Sequence, residues 1–148
     1  MRNCGLPFSC FLLILAAAIA LACGSASHIL PTCSSVPSAT NPDIPQSMTL
    51  CPAAADAKDF PDGEVQFVAI GAYYTAPSPA TPQKAFWGAC YQNAPTSAVT
   101  ISSSGLAQCA ADSSGTYTVF ASVPTLCNVV TACGGGCQVS GYAKLTCP

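Results

Sequence analysis

The stretch GTYTVFASV (Gly115–Val123) decides the fold class. Tyr117, Val119, Ala121 and Val123 fall on one face of an extended chain and Thr116, Thr118, Phe120 and Ser122 on the other, since successive strand side chains point to opposite sides. A second run, CQVSGYAKLTC (137–147), alternates in the same way, with Cys137, Val139, Gly141, Ala143, Leu145 and Cys147 opposed to Ser140, Tyr142, Lys144 and Thr146. Around these two, strand composition recurs in EVQFVAIGAYY (64–74), AFWGACYQ (85–92), SAVTIS (97–102) and CNVVTAC (127–133), segments favoured in sheets by their β-branched and aromatic residues. The 64–74 run is apolar on both faces and is expected at the centre of a sheet. Short strands with Gly, Pro and Ser punctuation predict one small all-β domain, antiparallel and sandwich-like, with at most one short helix.

The single helical turn is expected after Pro52, which begins PAAADAKD and precedes the turn residues Pro61, Asp62 and Gly63. TAPSPATPQ (75–83) carries three prolines and no hydrophobic anchor, and reads as an exposed loop open to O-glycosylation. Gly134, Gly135 and Gly136 then form the reversal between strands at 127–133 and 137–147, where tight turns require positive φ. Cys133 and Cys137 sit at the ends of that hairpin, with a bridge across it as the first expectation and partners in another layer as the second.

Ahead of this domain, Met1 and Arg2 supply a positive end to the apolar run FSCFLLILAAAIALA (8–22). This reads as a signal peptide occupying 1–26, cut between 22 and 26, because the run is shorter than the roughly 20 residues of a membrane span. A retained anchor and a lipid-bearing Cys23 fit the pattern less well. Residues 27–47 read as a proline-rich extended arm pinned by Cys33, and 48–148 as the cysteine-rich β domain. Cutting beyond Cys23 leaves Cys33, Cys51, Cys90, Cys109, Cys127, Cys133, Cys137 and Cys147, an even set suited to a closed disulfide framework in an oxidising compartment.

Zinc sites favour paired short spacings such as two C-x-x-C units, whereas five, three and nine residues separate the last four cysteines. A redox pair would want C-x-x-C at a helix start. No metal and no cofactor is therefore expected. Three lysines face six carboxylates once Arg2 is removed with the leader, which excludes the basic surface that nucleic acids need.

His28 is the chain's one histidine and lies in the arm, a poor position for a triad that needs a rigidly held base. Asp56, Asp59, Asp62 and Glu64 concentrate charge, but without the alternating oxygen ligands of a calcium loop and with Lys58 among them; a solvated acidic turn is expected, with no member buried. Tyr73, Phe86 and Trp87 are expected in the core, and Tyr74 and Tyr91 are the candidate ligand-contacting aromatics.

The phrases MTLCP (48–52) and KLTCP (144–148) resemble the strand endings of secreted C6-type cysteine-rich domains abundant in nematodes. The resemblance spans at most the C-terminal hundred residues; it implies an extracellular compartment and a stapled β fold, and brings no catalytic residues. The expected protein is secreted, cysteine-rich and extracellular, with a structural or binding role and no catalysis. Its partner is expected to be an extracellular protein or a carbohydrate, not nucleic acid or, after cleavage, membrane. The alternative is a small secreted enzyme or protease inhibitor using the acidic cluster 56–64 or a loop between cysteines.

Overall fold

The computed structural model describes residues 33–40, 44–123, 128–137 and 139–148. The expected leader, His28 and Cys127 lie outside them. At the centre stands the strand that alternates most clearly, β9 (Gly115–Val123), flanked antiparallel by β10 (Val139–Cys147) and β5 (Phe86–Tyr91). Val123 opposes Val139 and Gly115 opposes Cys147, so the two alternating patterns meet face to face and one side of the pair is apolar throughout. β2 (Ala54–Asp56) and β6 (Ala94–Pro95) complete the edges of this five-stranded sheet. The β5–β6 connection is Gln92 and Asn93, both at positive φ, the backbone of a tight two-residue hairpin.

Two smaller sheets share the core. β7 (Val99–Ile101), β8 (Leu106–Cys109) and β3 (Glu64–Gln66) form one, and β1 (Ser47–Cys51) and β4 (Val68–Ala72) the other. Val119, Ala121 and Leu145 from the large sheet pack with Met48, Leu50, Val65, Phe67, Val99 and Ala107 from the small ones. Phe67 and Leu145 are fully buried, each stabilising the fold by about 1.5–3 kcal/mol through removal from water. The other face of β9 is covered as well: Phe120 packs with Cys90, Ala132 and Cys133. The expected all-β, disulfide-stapled, mainly antiparallel domain is what the chain forms, with β2 and β10 as a parallel pair.

Disulfides tie these layers. Cys33–Cys51 fastens the arm to the end of β1, Cys90–Cys133 fastens β5 to a short helix, and Cys109–Cys147 joins β8 to β10 across two sheets. Cys137 is disulfide-bonded too.

Several local expectations are corrected. Residues 129–133 form the helix α1 (Val129–Cys133), not a strand. Asn128 Oδ1 accepts hydrogen bonds from the Thr131 backbone N–H and hydroxyl, both at 2.9 Å, an N-cap that overrides the β-branched composition. The three glycines end this helix rather than turn a hairpin. Gly135 N–H donates to Ala132 O and Gly136 N–H to Thr131 O, with Gly135 at φ +75°, the two bonds of a Schellman cap. Cys133 accordingly bridges to Cys90 in the large sheet and not to Cys137.

The 64–74 run is two strands in different sheets. Buried Phe67, donating its N–H to Gly105 O, marks the corner between β3 and β4; β3 pairs only with β8 and is an edge strand, while β4 has β1 on one side and an isolated bridge from Gly71 on the other. After Pro52, residues 54–56 pair with β10 as β2, and the helical turn is a 3₁₀ turn at Ala57–Asp59, capped by the Asp56 side chain and followed by a second at Pro61–Gly63. The open hydrogen-bonding edge of β10 outweighs the alanines' helix preference.

The proline-rich 75–83 segment has an anchor after all. Ala80 is fully buried, exchanges both backbone hydrogen bonds with Gly71, and packs with Ala39 and Tyr73. Next to it Thr81 pairs with the arm, its carbonyl accepting from Ala39 N–H and its N–H donating to Pro37 O.

Candidate functional site

Tyr74 follows β4 and is 89% exposed; Tyr91 ends β5 and is 45% exposed. Tyr74 lies in a bend beyond its strand, and Tyr91 is committed to a cross-strand contact with Tyr117, ring centroids 5.3 Å apart. Tyr73 is buried, while Phe86 and Trp87 are half-buried.

The acidic residues are dispersed. Asp56 holds Lys58 in an ion pair at 2.7 Å and accepts its backbone N–H; the Asp56 hydrogen bond first, and then its charge, raise the Lys58 pKa above its ordinary value. Asp62 is exposed on its turn at φ +58°, and Glu64 lies in β3 opposite Gln108. No carboxylate is buried among the described residues, nor do His, Cys, Asp or Glu side chains gather there in a group able to hold a metal ion. A hollow of about 200 Å³ beside Cys109 and Pro148 has Asp62 as its one acidic side chain.

A different place combines aromatic and polar groups. A cleft of about 530 Å³ runs between β4, the 81–85 segment and the β7–β8 turn, within the roughly 300–1,000 Å³ of small-molecule sites. Trp87, from β5, is its aromatic wall. Thr81, Gln83, Lys84, Ser103 and Ser104 supply polar groups.

The surroundings are fixed by hydrogen bonds. Gln83 Nε2 donates to Ala39 O and Thr40 O at 3.1 and 2.9 Å, which ties this wall to the arm. Gln66 Nε2 donates to Phe67 O and Ser104 O, both at 2.8 Å, and Ser102 and Ser104 share a 2.8 Å hydroxyl contact. The turn then closes on the indole: a Cβ at Gly105 would lie 2.9 Å from two Trp87 ring carbons and 2.4 Å from Phe67 O. Glycine at φ +86° admits that approach.

Trp87, expected in the core, packs against it and also lines the cleft, whereas Lys84 carries no expectation beyond its charge. The local signal was a lysine three residues before the chain's one tryptophan, directly after a proline-rich segment. A smaller cleft of about 370 Å³, lined by Asn93, Thr118, Tyr142 and the Cys90–Cys133 bridge, lies beside α1. Tyr142 donates its hydroxyl to Ala132 O at 3.1 Å, which fixes this side of the helix. Among the described residues no helix is long and apolar enough to cross a membrane. No protein-family model matches the chain, and no curated protein matches it.

Proposed function

We propose that the chain is a secreted extracellular protein that works by binding, its cysteines serving as structure and not as chemistry. The observation that carries this reading is the cleft beside Trp87, whose walls are held by the arm, by Gln66 and by the Gly105 turn on a disulfide-tied scaffold. Rigid walls lower the ordering cost of binding. The charged apolar leader and the bridges support an oxidising destination. An enzyme using residues 56–64 has less support, because Asp56 is committed to Lys58 and Asp62 stands on an exposed turn.

The test is expression of the full chain with its own leader in a secreting host, followed by intact mass before and after reduction and alkylation. Export with eight cysteines alkylated only after reduction supports the reading. Cell retention, or thiols that alkylate without reduction, overturns it.

A further inference from the structure

We propose that the cleft between β4, the 81–85 segment and the β7–β8 turn is a binding site for an acidic saccharide, a sugar carrying a carboxylate or a sulfate ester. This rests on the reading of the protein as an extracellular binder and names the ligand class of that site.

Three features select the class. Trp87 presents an indole whose position is set by the Gly105 turn, and an aromatic surface with a polar tip complements a ligand that is apolar on one face and hydroxylated at its rim. Thr81, Ser103 and Ser104 line the same cleft. The Thr81 hydroxyl reaches Pro37 O and Ser38 Oγ at 3.4 Å and the Ser104 hydroxyl contacts Ser102 Oγ at 2.8 Å, but a hydroxyl carries one donor and two acceptor lone pairs, so each keeps capacity for the mixed donors and acceptors of a sugar. Gln83 spends both amide hydrogens on Ala39 O and Thr40 O, which leaves its Oε1 as an acceptor only.

The third feature is charge. Lys84 is the one charged residue lining the cleft, and no carboxylate lines it. It is exposed, and no described carboxylate pairs with it: the ion pair formed by a lysine elsewhere is Lys58 with Asp56. A cation lining the same cleft as an aromatic and hydroxyl-bearing residues discriminates an anionic sugar from its neutral homologue. Because the chain is acidic overall, with a formal net charge of −2, the attraction is local and should weaken as salt screens it.

Trp87 is the single tryptophan of the chain, so indole emission reports on this cleft alone. The oxidised secreted chain would be titrated with a glucuronate oligosaccharide, a sulfated disaccharide, a neutral glucose oligomer and inorganic sulfate, with calorimetry in parallel. The expected result is a saturable Trp87 response to at least one acidic saccharide, about tenfold weaker for the neutral oligomer. Lys84→Gln, at an exposed position, should remove that preference by weakening the acidic saccharide about tenfold, while leaving thermal stability unchanged. Silence by both methods toward both acidic saccharides would overturn the site. Equal affinity for neutral and acidic sugars, or for wild type and K84Q, would overturn the acidic assignment. Inorganic sulfate binding as tightly as the sulfated disaccharide would reduce the cleft to an anion site and overturn the saccharide. Thiol status of the same preparation reports separately on the extracellular reading.

Discussion

Cys109 closes β8 and Cys147 closes β10, and their Cα atoms lie 5.9 Å apart across two different sheets. The bond spans 38 residues of sequence and thereby joins the central pair of strands to the sheet that lies over them. A cross-link of this span removes chain entropy from the unfolded state, and its loss typically costs about 2–5 kcal/mol. That is comparable with the whole stability of a small domain.

Replacing both partners, Cys109→Ser with Cys147→Ser, is accordingly expected to lower the denaturant midpoint strongly, by about 2–5 kcal/mol in free energy. The double variant avoids leaving a lone thiol. Equilibrium unfolding in guanidinium under non-reducing conditions measures it, and a loss below about 1 kcal/mol would mean that core packing alone orders the two sheets.

Digestion without reduction should release peptides joining Cys33 to Cys51, Cys90 to Cys133 and Cys109 to Cys147. Cys137 is also bonded, so its peptide should likewise stay joined through a bridge until reduction. A peptide linking Cys133 to Cys137 would restore the hairpin and contradict the capped helix.

What the sequence made legible was the long-range alternation. β9 matches its expected bounds, and the apolar face read from Val139 to Cys147 is the buried one. Illegible were features decided by partners remote in sequence. The edge of β10 turns the alanines after Pro52 into a strand, and Phe67 breaks an apparently continuous strand because Gly105, far along the chain, accepts its N–H. At 127–133 a single Asn cap outweighed three β-branched residues, a local signal that composition masked. The cleft was hardest to see, since its walls combine β4 from a segment read as a central strand with Thr81–Gln83 from one read as loop, and its aromatic comes from a residue expected in the core.

Gly105→Ala tests the turn that clamps Trp87. The backbone at φ +86° costs about 1–3 kcal/mol for a residue with a side chain, and the added Cβ would press on Phe67 O at 2.4 Å. Gly63→Ala is the matched control, with φ +68° and nothing within 4 Å. Thermal unfolding should show Gly105→Ala clearly more damaging than Gly63→Ala; equal shifts would mean the turn yields without cost.

Leu145→Ala should cost about 2–5 kcal/mol, as a fully buried leucine leaves a cavity when truncated. Tyr74→Ala, at 89% exposure, should stay within about 0.5 kcal/mol of wild type. Urea unfolding of the two variants side by side measures the contrast, and a large loss at Tyr74 would mean that its ring is covered in the folded protein.

The ion pair between Lys58 and Asp56 gives a pH prediction with a definite sign. Its hydrogen bond and charge favour the protonated amine, so the folded Lys58 pKa lies above the unfolded one. Any stabilisation from the pair is therefore fully present below the ordinary lysine pKa of about 10.4 and disappears as pH rises through the higher folded value. Lys58 is exposed, so solvent screens the pair and the effect on global stability should be small. Following the Lys58 side-chain carbon shifts by NMR between neutral pH and about 12 locates the folded pKa directly. Asp56→Asn should move that titration down toward the ordinary value, and high salt should do the same in part. An unchanged titration in the Asn variant would show that the 2.7 Å contact does not persist in solution.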